Sequence, residues 1–146
     1  MTVPDATFDL TFDTSLAAPP ERVFAALTEG RHVARWFCDD CTSEPREGGS
    51  LVMRWTRPGS SVQPFEAVWT AFSPPLACAY QGGHSGYPDG NAGAIEFTLL
   101  AAGAGTLLHV RHTLPDRAGY GPIAARFQVA WPRALVRLAA YLTPST

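Results

Sequence analysis

The pattern of apolar and polar side chains changes its period between the two ends of the chain. Between residues 8 and 16, phenylalanine and leucine alternate with aspartate, threonine and serine. A period of two predicts a strand with one polar face. From Gly119 onward the apolar side chains recur every three or four positions, which predicts a long amphipathic helix; they are Ile123, Phe127, Trp131, Leu135, Leu138 and Leu142. Because the stripe continues in phase across Pro132, we expect one kinked helix rather than two.

Two short helices are predicted directly after the first strand. Pro19 and Pro20 end that strand, because proline has no N–H to donate to a neighbouring strand. Residues 21–29 carry apolar side chains at helical spacing, and Gly30 is expected to stop this helix. Residues 33–37 repeat the spacing with valine, tryptophan and phenylalanine, which predicts the second short helix.

The middle of the chain consists of short apolar runs separated by proline and glycine. The runs predict strands at 51–56, 65–72, 76–81, 94–100 and 106–113, and residues 38–50 form a loop or an edge strand. Pro58 to Ser61 is a predicted turn. Residues 82–93, GGHSGYPDGNAG, predict a long hairpin loop, either simply flexible or a mobile lid over a cavity. We expect one domain over 1–146.

The composition restricts the classes of function. Hydrophobic residues make up 46% of the chain and charged residues 16%, and the eight Phe and four Trp either fill a bulky core or line a cavity. A net charge of −2 without a basic stripe argues against a nucleic-acid partner. All eleven basic residues are arginine, so chemistry that requires a lysine, such as a Schiff base, is excluded.

The sequence also bears on location. It has no apolar run of about 20 residues, so we expect no membrane span and no membrane partner. The N-terminus lacks the basic and apolar regions of a secretory signal. Three cysteines are an odd number, which favours free thiols in a reducing compartment. The predicted location is the cytoplasm.

Six segments mark the order of the predicted elements: APPERVFAAL, RWF, REGGSL, FSPPL, GAGTLLHVRH and WPRALVRLAAYL. Each segment is a loose motif, but their order is specific. Together they resemble the SRPBCC superfamily, which has the START-like or helix-grip fold. Within it, the chain is similar to stand-alone bacterial domains of the AHSA type, named after the activator of the heat-shock chaperone ATPase. The resemblance implies an α+β fold in which a curved antiparallel sheet of about six or seven strands wraps around the C-terminal helix. It also implies a ligand cavity between the two.

Strand parity and this resemblance together predict the cavity wall. The candidate ligand-binding residues are Trp36, Phe37, Met53, Trp55, Trp69, Tyr80, Phe97, His112, Phe127 and Trp131. Most would supply shape and apolar area, whereas Tyr80 and His112 would orient a ligand through hydrogen bonds. We expect no cofactor.

His112 has two interpretations. It shares strand parity with the apolar residues of 106–110, which places it on the buried face. A histidine there could serve as acid, base or hydrogen-bond donor to a ligand, or it could be a hydrogen-bonded core residue. His109 lies three positions away and therefore points to the opposite face, so the two histidines cannot chelate one ion together.

Cys38 and Cys41 form a C-x-x-C pair that the family resemblance does not explain. A zinc site would need two further ligands, in principle Cys78 and one histidine from His32, His84, His109 or His112. The pair follows a helix, whereas a thioredoxin-like motif precedes one. We therefore expect no metal, and we interpret the cysteines as incidental thiols, with a redox pair and a metal site as alternatives.

Three functions follow from these features. The first is binding of a small apolar or amphipathic molecule in the cavity. The second is an enzyme similar to the aromatases and cyclases of the superfamily, with His112 and Tyr80 as acid and base. The third is partnership with a chaperone ATPase, and a homodimer is possible.

An arginine facing inward would indicate a carboxylate-bearing or phenolic ligand. The strand arginines are Arg54 and Arg111, and parity points Arg54 outward.

Overall fold

The computed structural model describes residues 7–56 and 63–143, in which one curved antiparallel sheet wraps around a long C-terminal helix. The elements are β1 (Thr7–Leu16), α1 (Pro20–Thr28), α2 (Gly30–Trp36), β2 (Asp40–Ser43), β3 (Ser50–Arg54), β4 (Phe65–Ser73), β5 (Ala77–Gly83), a short 3-10 helix (Pro88–Gly90), β6 (Ala94–Ala102), β7 (Gly105–Pro115) and α3 (Tyr120–Leu142). The α+β helix-grip prediction is confirmed.

The seven strands lie in the order β1-β7-β6-β5-β4-β3-β2. Each strand from β2 to β7 pairs with its neighbour along the chain, and β1 closes the series by pairing with β7. The edges are therefore β1 and β2, and the predicted edge strand within 38–50 is present as β2. The predicted turn at Pro58 to Ser61 lies outside the described residues.

The core lies between the concave face of the sheet and the apolar face of α3. In β7 every second side chain is buried, and the buried set includes His112. In α3, Trp131, Leu135 and Leu138 are buried at helical spacing. Alternation in the strands and the period of 3.6 in the helix thus direct both apolar faces to one interface. Arg54 and Arg111 point outward, where they pair with Asp40 and Asp9 respectively.

The first helix ends where it was predicted to end, but Gly30 does not have the predicted role of a helix stop. The last residue of α1 is Thr28, its C-cap Glu29 has extended backbone, and Gly30 is the first residue of α2. A Cβ at Gly30 would lie 2.7 Å from the Cys41 carbonyl oxygen. Glycine is required here because α2 approaches the backbone of β2 closely, not because a helix ends.

The glycine-rich segment is also more ordered at its start than predicted. β5 continues through Gly82 and Gly83, where the sequence predicts loop. A side chain at Gly82 would collide with the carbonyl of Glu66 on β4. The glycines therefore permit close pairing of strands, and the loop proper begins afterwards.

The C-terminal helix is continuous through Pro132, as predicted. Proline removes the hydrogen bond to the carbonyl of Gln128. Both residues are exposed, so that carbonyl lies on the solvent side of the helix, where water can satisfy it. Among the described helices, none combines the length and the hydropathy that crossing a bilayer requires.

We predict that Gly30→Ala lowers the free energy of unfolding by about 1–3 kcal/mol, because α2 must move away from β2 to admit the methyl group. Gly121→Ala is the matched control, since nothing lies within 4 Å of a Cβ at that helical position. We expect the control to be neutral or more stable by up to about 1 kcal/mol. Urea denaturation followed by tryptophan fluorescence measures both. Equal stability of the two variants would contradict the close-approach explanation.

Candidate functional site

A cavity of about 310 Å³ lies between the concave face of the sheet and α3. Apolar and aromatic side chains from both layers supply most of its wall. The lining residues are Phe37, Met53, Trp55, Phe65, Tyr80, His84, Tyr87, Ile95, His112, Phe127, Ala130, Trp131, Ala134 and Arg137. The volume is that of a small-molecule site at the lower end of the usual range, about 300–1,000 Å³.

Most residues of the sequence-predicted wall lie at this cavity, and three lie elsewhere. The residues in the lining are Phe37, Met53, Trp55, Tyr80, His112, Phe127 and Trp131. Trp36 is buried and donates its indole N–H to the Ala26 carbonyl at 2.8 Å. Trp69 donates to the Ser43 hydroxyl at 3.1 Å, and Phe97 packs behind the wall against Tyr80. Strand parity for Trp69 and Phe97, and helical spacing for Trp36, correctly predicted that these side chains point inward. Neither pattern can separate the core from the cavity wall.

Interlocked aromatic rings form one side of the cavity. Phe37 stacks on Trp131 with centroids 5.6 Å apart and meets Trp55 edge-on at 5.6 Å. The Trp55 indole N–H donates to the Phe37 carbonyl at 2.9 Å. Because the indole is held by both packing and a hydrogen bond, this part of the wall is pre-formed.

The glycine-rich loop contributes two wall residues that the sequence analysis missed. His84 and Tyr87 pack against each other with centroids 4.5 Å apart, and Tyr87 stacks on Phe127 of α3. The buried hydroxyl of Tyr120 lies 2.7 Å from the Asn91 carbonyl, which ties the loop to the start of α3. The sequence did contain an indication of this role, because His84 and Tyr87 are the two aromatic residues in the glycine-rich segment 82–93. Burial lowers the pKa of His84, which favours its neutral form.

The two ring nitrogens of His112 are both engaged in hydrogen bonds. Trp131 donates its indole N–H to Nδ1 at 3.0 Å, and Nε2 lies 2.7 Å from the Ala92 carbonyl. An indole N–H can only donate, so Nδ1 is unprotonated and Nε2 carries the proton. Desolvation by burial lowers the pKa of His112 to about 4. The imidazole is therefore neutral at pH 7 and leaves no ring nitrogen free for a ligand.

Tyr80 is the available polar group in the depth of the cavity. Its hydroxyl makes no hydrogen bond to the residues that the structure describes, and Tyr80 belongs to the cavity lining. Burial raises the pKa of Tyr80 well above its ordinary value, so the phenol stays protonated. It can donate or accept one hydrogen bond to a molecule in the cavity.

Arg137 is the residue with a permanent charge in the lining, and the sequence analysis did not include it. Its Nε–H donates to the Trp36 carbonyl at 3.0 Å, which links α3 to the end of α2. The side chain is exposed and lies at the cavity rim. Its position on the largely apolar C-terminal helix gave no indication that it would reach the cavity.

The three cysteines are free thiols, as expected from their number. The Cys38 thiol donates to the Asp40 carbonyl at 3.2 Å. Interaction between the neighbouring Cys38 and Cys41 sulfurs raises the pKa of Cys38 and lowers that of Cys41. Burial raises the pKa of Cys78 to about 12. Within residues 7–56 and 63–143, no group of three or more Cys, His, Asp or Glu side chains is placed to hold a metal ion.

Seven antiparallel strands around a C-terminal helix, with an aromatic cavity between them, define a helix-grip protein. The family model described as "Activator of Hsp90 ATPase homolog 1-like protein" matches residues 17–143. The chain therefore belongs to this family, a branch of the SRPBCC superfamily. No curated protein matches the sequence.

Solved structures with the same fold include proteins from several bacteria. CalU16 from Micromonospora echinospora is 23% identical, with a TM-score of 0.75 and coverage of 99% of this chain and 82% of that one. The Aha1 dimer from Colwellia psychrerythraea is 18% identical, with a TM-score of 0.78 and coverage of 92% and 96%. DynU16, "a putative protein in the dynemicin biosynthetic locus", is 22% identical, with a TM-score of 0.73 and coverage of 92% and 46%. At these identities the similarity shows the fold alone.

We predict that His112 makes the fold sensitive to mild acid. The unfolded chain binds the proton at the ordinary pKa of 6.5 and the folded chain at about 4. The contribution of His112 to the free energy of unfolding is therefore complete above pH 6.5 and is lost as the pH falls toward 4. Between pH 7 and pH 5 the free energy of unfolding should fall by about 2 kcal/mol from this group.

Urea denaturation at the two pH values, compared with His112→Gln, isolates this contribution because the variant lacks the titrating ring. Nitrogen NMR of the imidazole should show the Nε2–H tautomer persisting at pH 5. A His112 titration midpoint near 6.5 would contradict the structural assignment.

We predict that Cys41 is the most reactive of the three thiols. Cys41 is half-buried and interaction with the neighbouring Cys38 thiol lowers its pKa, whereas Cys38 and Cys78 are buried with raised pKa values. An aromatic disulfide reagent should label the native protein fastest at Cys41, as read by peptide mass mapping. Cys41→Ser should remove the fast phase and Cys78→Ser should leave it; survival of the phase in Cys41→Ser would refute the assignment.

Proposed function

We propose that this protein binds a small apolar or amphipathic molecule in the cavity between its sheet and α3. The observation that carries the proposal is the cavity of about 310 Å³ with a largely aromatic wall. Natural cores contain few voids larger than a water molecule, because each void forfeits packing contacts. A void of this size, built from large rings that could have filled it, favours a binding role.

The pre-formed wall supports this role energetically. The Phe37, Trp55 and Trp131 rings already contact each other without a ligand. A ligand that enters need not order these side chains first, so less of its binding free energy is spent on reorganisation. Tyr80 supplies one hydrogen bond for orientation. The site thus fits a molecule whose apolar part is one or two rings or a short alkyl chain. One polar group on that part would form the hydrogen bond with Tyr80.

Binding without chemistry is favoured over the cyclase or aromatase alternative. Both nitrogens of His112 are used within the protein, and its pKa of about 4 makes it a weak base. Tyr80 has a raised pKa and no base beside it among the described residues. A general acid or base needs a free atom within reach of the substrate and a pKa near the working pH.

The homodimer and the chaperone partner are secondary proposals beside small-molecule binding. The structure of Aha1 from Colwellia psychrerythraea is that of a dimer, which supports testing this chain for self-association. The family description refers to an activator of the Hsp90 ATPase, which motivates the chaperone alternative. DynU16, which shares the fold, is a putative protein in the dynemicin biosynthetic locus, which supports testing small molecules as ligands of this chain. Cytoplasmic location stays a prediction.

We predict that the neutral fluorophore N-phenylnaphthylamine binds this protein and gains fluorescence. Ala130→Trp should weaken the binding by about tenfold or more, because Ala130 is exposed and lines the cavity, so an indole there blocks the entrance. Val129→Trp is the matched control: it adds the same ring to the preceding residue of α3, which is 55% exposed and lies outside the lining. Fluorescence titration measures all three proteins.

Two controls complete the experiment. Circular dichroism and urea denaturation of each variant exclude unfolding as the cause of weakened binding. Native mass spectrometry of gently purified protein detects a molecule that is already bound, which would need displacement first. Failure of the wild type, freed of such a molecule, to take up the fluorophore would refute the proposal. Equal affinity of Ala130→Trp and Val129→Trp would place the bound probe outside the cavity.

A further inference from the structure

Helix α3 carries an unbalanced positive charge along its solvent side. Arg126, Arg133 and Arg137 are its charged residues, and residues 120–142 contain no aspartate or glutamate. All three arginines are exposed, and none of them takes part in an ion pair with the described residues. The whole chain has a net charge of −2, so this helix is opposite in sign to the protein that carries it.

Arg137 brings that charge to the cavity rim. It lines the cavity together with aromatic residues, and its Nε–H donates to the Trp36 carbonyl at 3.0 Å. This bond fixes the guanidinium at its base while leaving the two terminal nitrogens without a described carboxylate partner. Two terminal N–H groups of one guanidinium can donate in parallel to the two oxygens of a carboxylate or a related anion.

The other polar groups of the cavity are compatible with an anion. Tyr80 is a neutral phenol because its pKa is raised, and His112 is a neutral imidazole. Burial also favours the neutral form of His84. No acidic side chain belongs to the described lining, so nothing there would repel a negative group.

We propose that the ligand of this cavity is an amphipathic anion, with an apolar ring or chain among the aromatic rings and its acidic head group held at the rim by Arg137. This inference rests on the proposed binding function and adds the chemical class of the ligand. Arg137 is a specificity-determining residue in this assignment. An apolar body buried in the cavity and one charge-assisted contact at the edge satisfy both halves of such a molecule.

A matched pair of probes distinguishes binding of the apolar body from binding of the acidic head group. N-phenylnaphthylamine is neutral, and anilinonaphthalene sulfonate has the same aromatic skeleton with one sulfonate. Wild-type protein should bind the anionic probe about tenfold more tightly, as expected for a charge-assisted hydrogen bond at a partly exposed site. The ratio of the two dissociation constants within one protein is the readout, because damage to the cavity affects both probes.

Three variants assign the preference to one residue. Arg137→Gln should reduce the affinity ratio to about twofold or less while retaining binding of the neutral probe. Arg137→Lys should restore part of the ratio, since the charge remains but the planar pair of donors is lost. Arg133→Gln is the control, because it removes one positive charge from the same helix at a residue outside the cavity lining. It should change the ratio by less than about twofold, a loss attributable to long-range attraction alone.

The outcomes distinguish this inference from the proposed function. If the neutral probe does not bind, the binding function itself fails. If the neutral probe binds and the wild type shows no preference for the anion, the anionic ligand is refuted while the binding function stands. If Arg137→Gln and Arg133→Gln lower the ratio equally, the preference reflects the charge of the helix, and the role of Arg137 is refuted.

Competition between decanoate or decanol and the neutral probe extends the comparison to a carboxylate. Decanoate should displace the neutral probe more effectively than decanol.

Discussion

The fold depends on the requirement that a fully buried imidazole have partners for both of its nitrogens. His112 meets this requirement with the Ala92 carbonyl on one side and the Trp131 indole on the other. An unsatisfied buried polar group costs about 1–3 kcal/mol, so the two bonds are enforced together. They join three parts of the chain that are distant in sequence, namely β7, the connection before β6 and the middle of α3. One residue thus links the position of the helix to that of the loop, and the same two bonds fix its tautomer.

This anchoring explains how a cavity can persist inside an aromatic core. Trp131 is held by its hydrogen bond to His112 and contacts Phe12, Phe37 and Phe97. Phe37 is in turn held beside Trp55, whose N–H binds its carbonyl. Rings that are fixed by polar contacts cannot collapse into the remaining space as freely as aliphatic side chains can. The cavity is thus the space that remains after the hydrogen-bonded rings have been placed.

A helix-grip fold does not by itself assign a function, since one fold supports many activities. Functional inference must come from features of this chain at its cavity. The engaged nitrogens of His112 favour a structural role over catalysis, and the open hydroxyl of Tyr80 and the rim guanidinium of Arg137 favour recognition. The Cys38 and Cys41 pair lies beside the wall residue Phe37, yet the Cys38 thiol donates to the Asp40 carbonyl, and the described residues form no metal-binding cluster around the pair.

The sequence by itself determined the order of the elements, the inward face of each strand and the continuity of α3, because these follow from local periodicity and from proline and glycine chemistry. It also determined most of the aromatic cavity wall, since strand parity and helical spacing identify inward side chains. Only the tertiary structure decided that Trp36, Trp69 and Phe97 belong to the core, that His84 and Tyr87 reach the cavity from a glycine-rich loop, and that Arg137 stands at its rim. Gly30 shows the same limit of sequence-based prediction, because its requirement for glycine comes from the close approach of β2, which begins at Asp40. Such placements depend on distances between elements that no local pattern encodes.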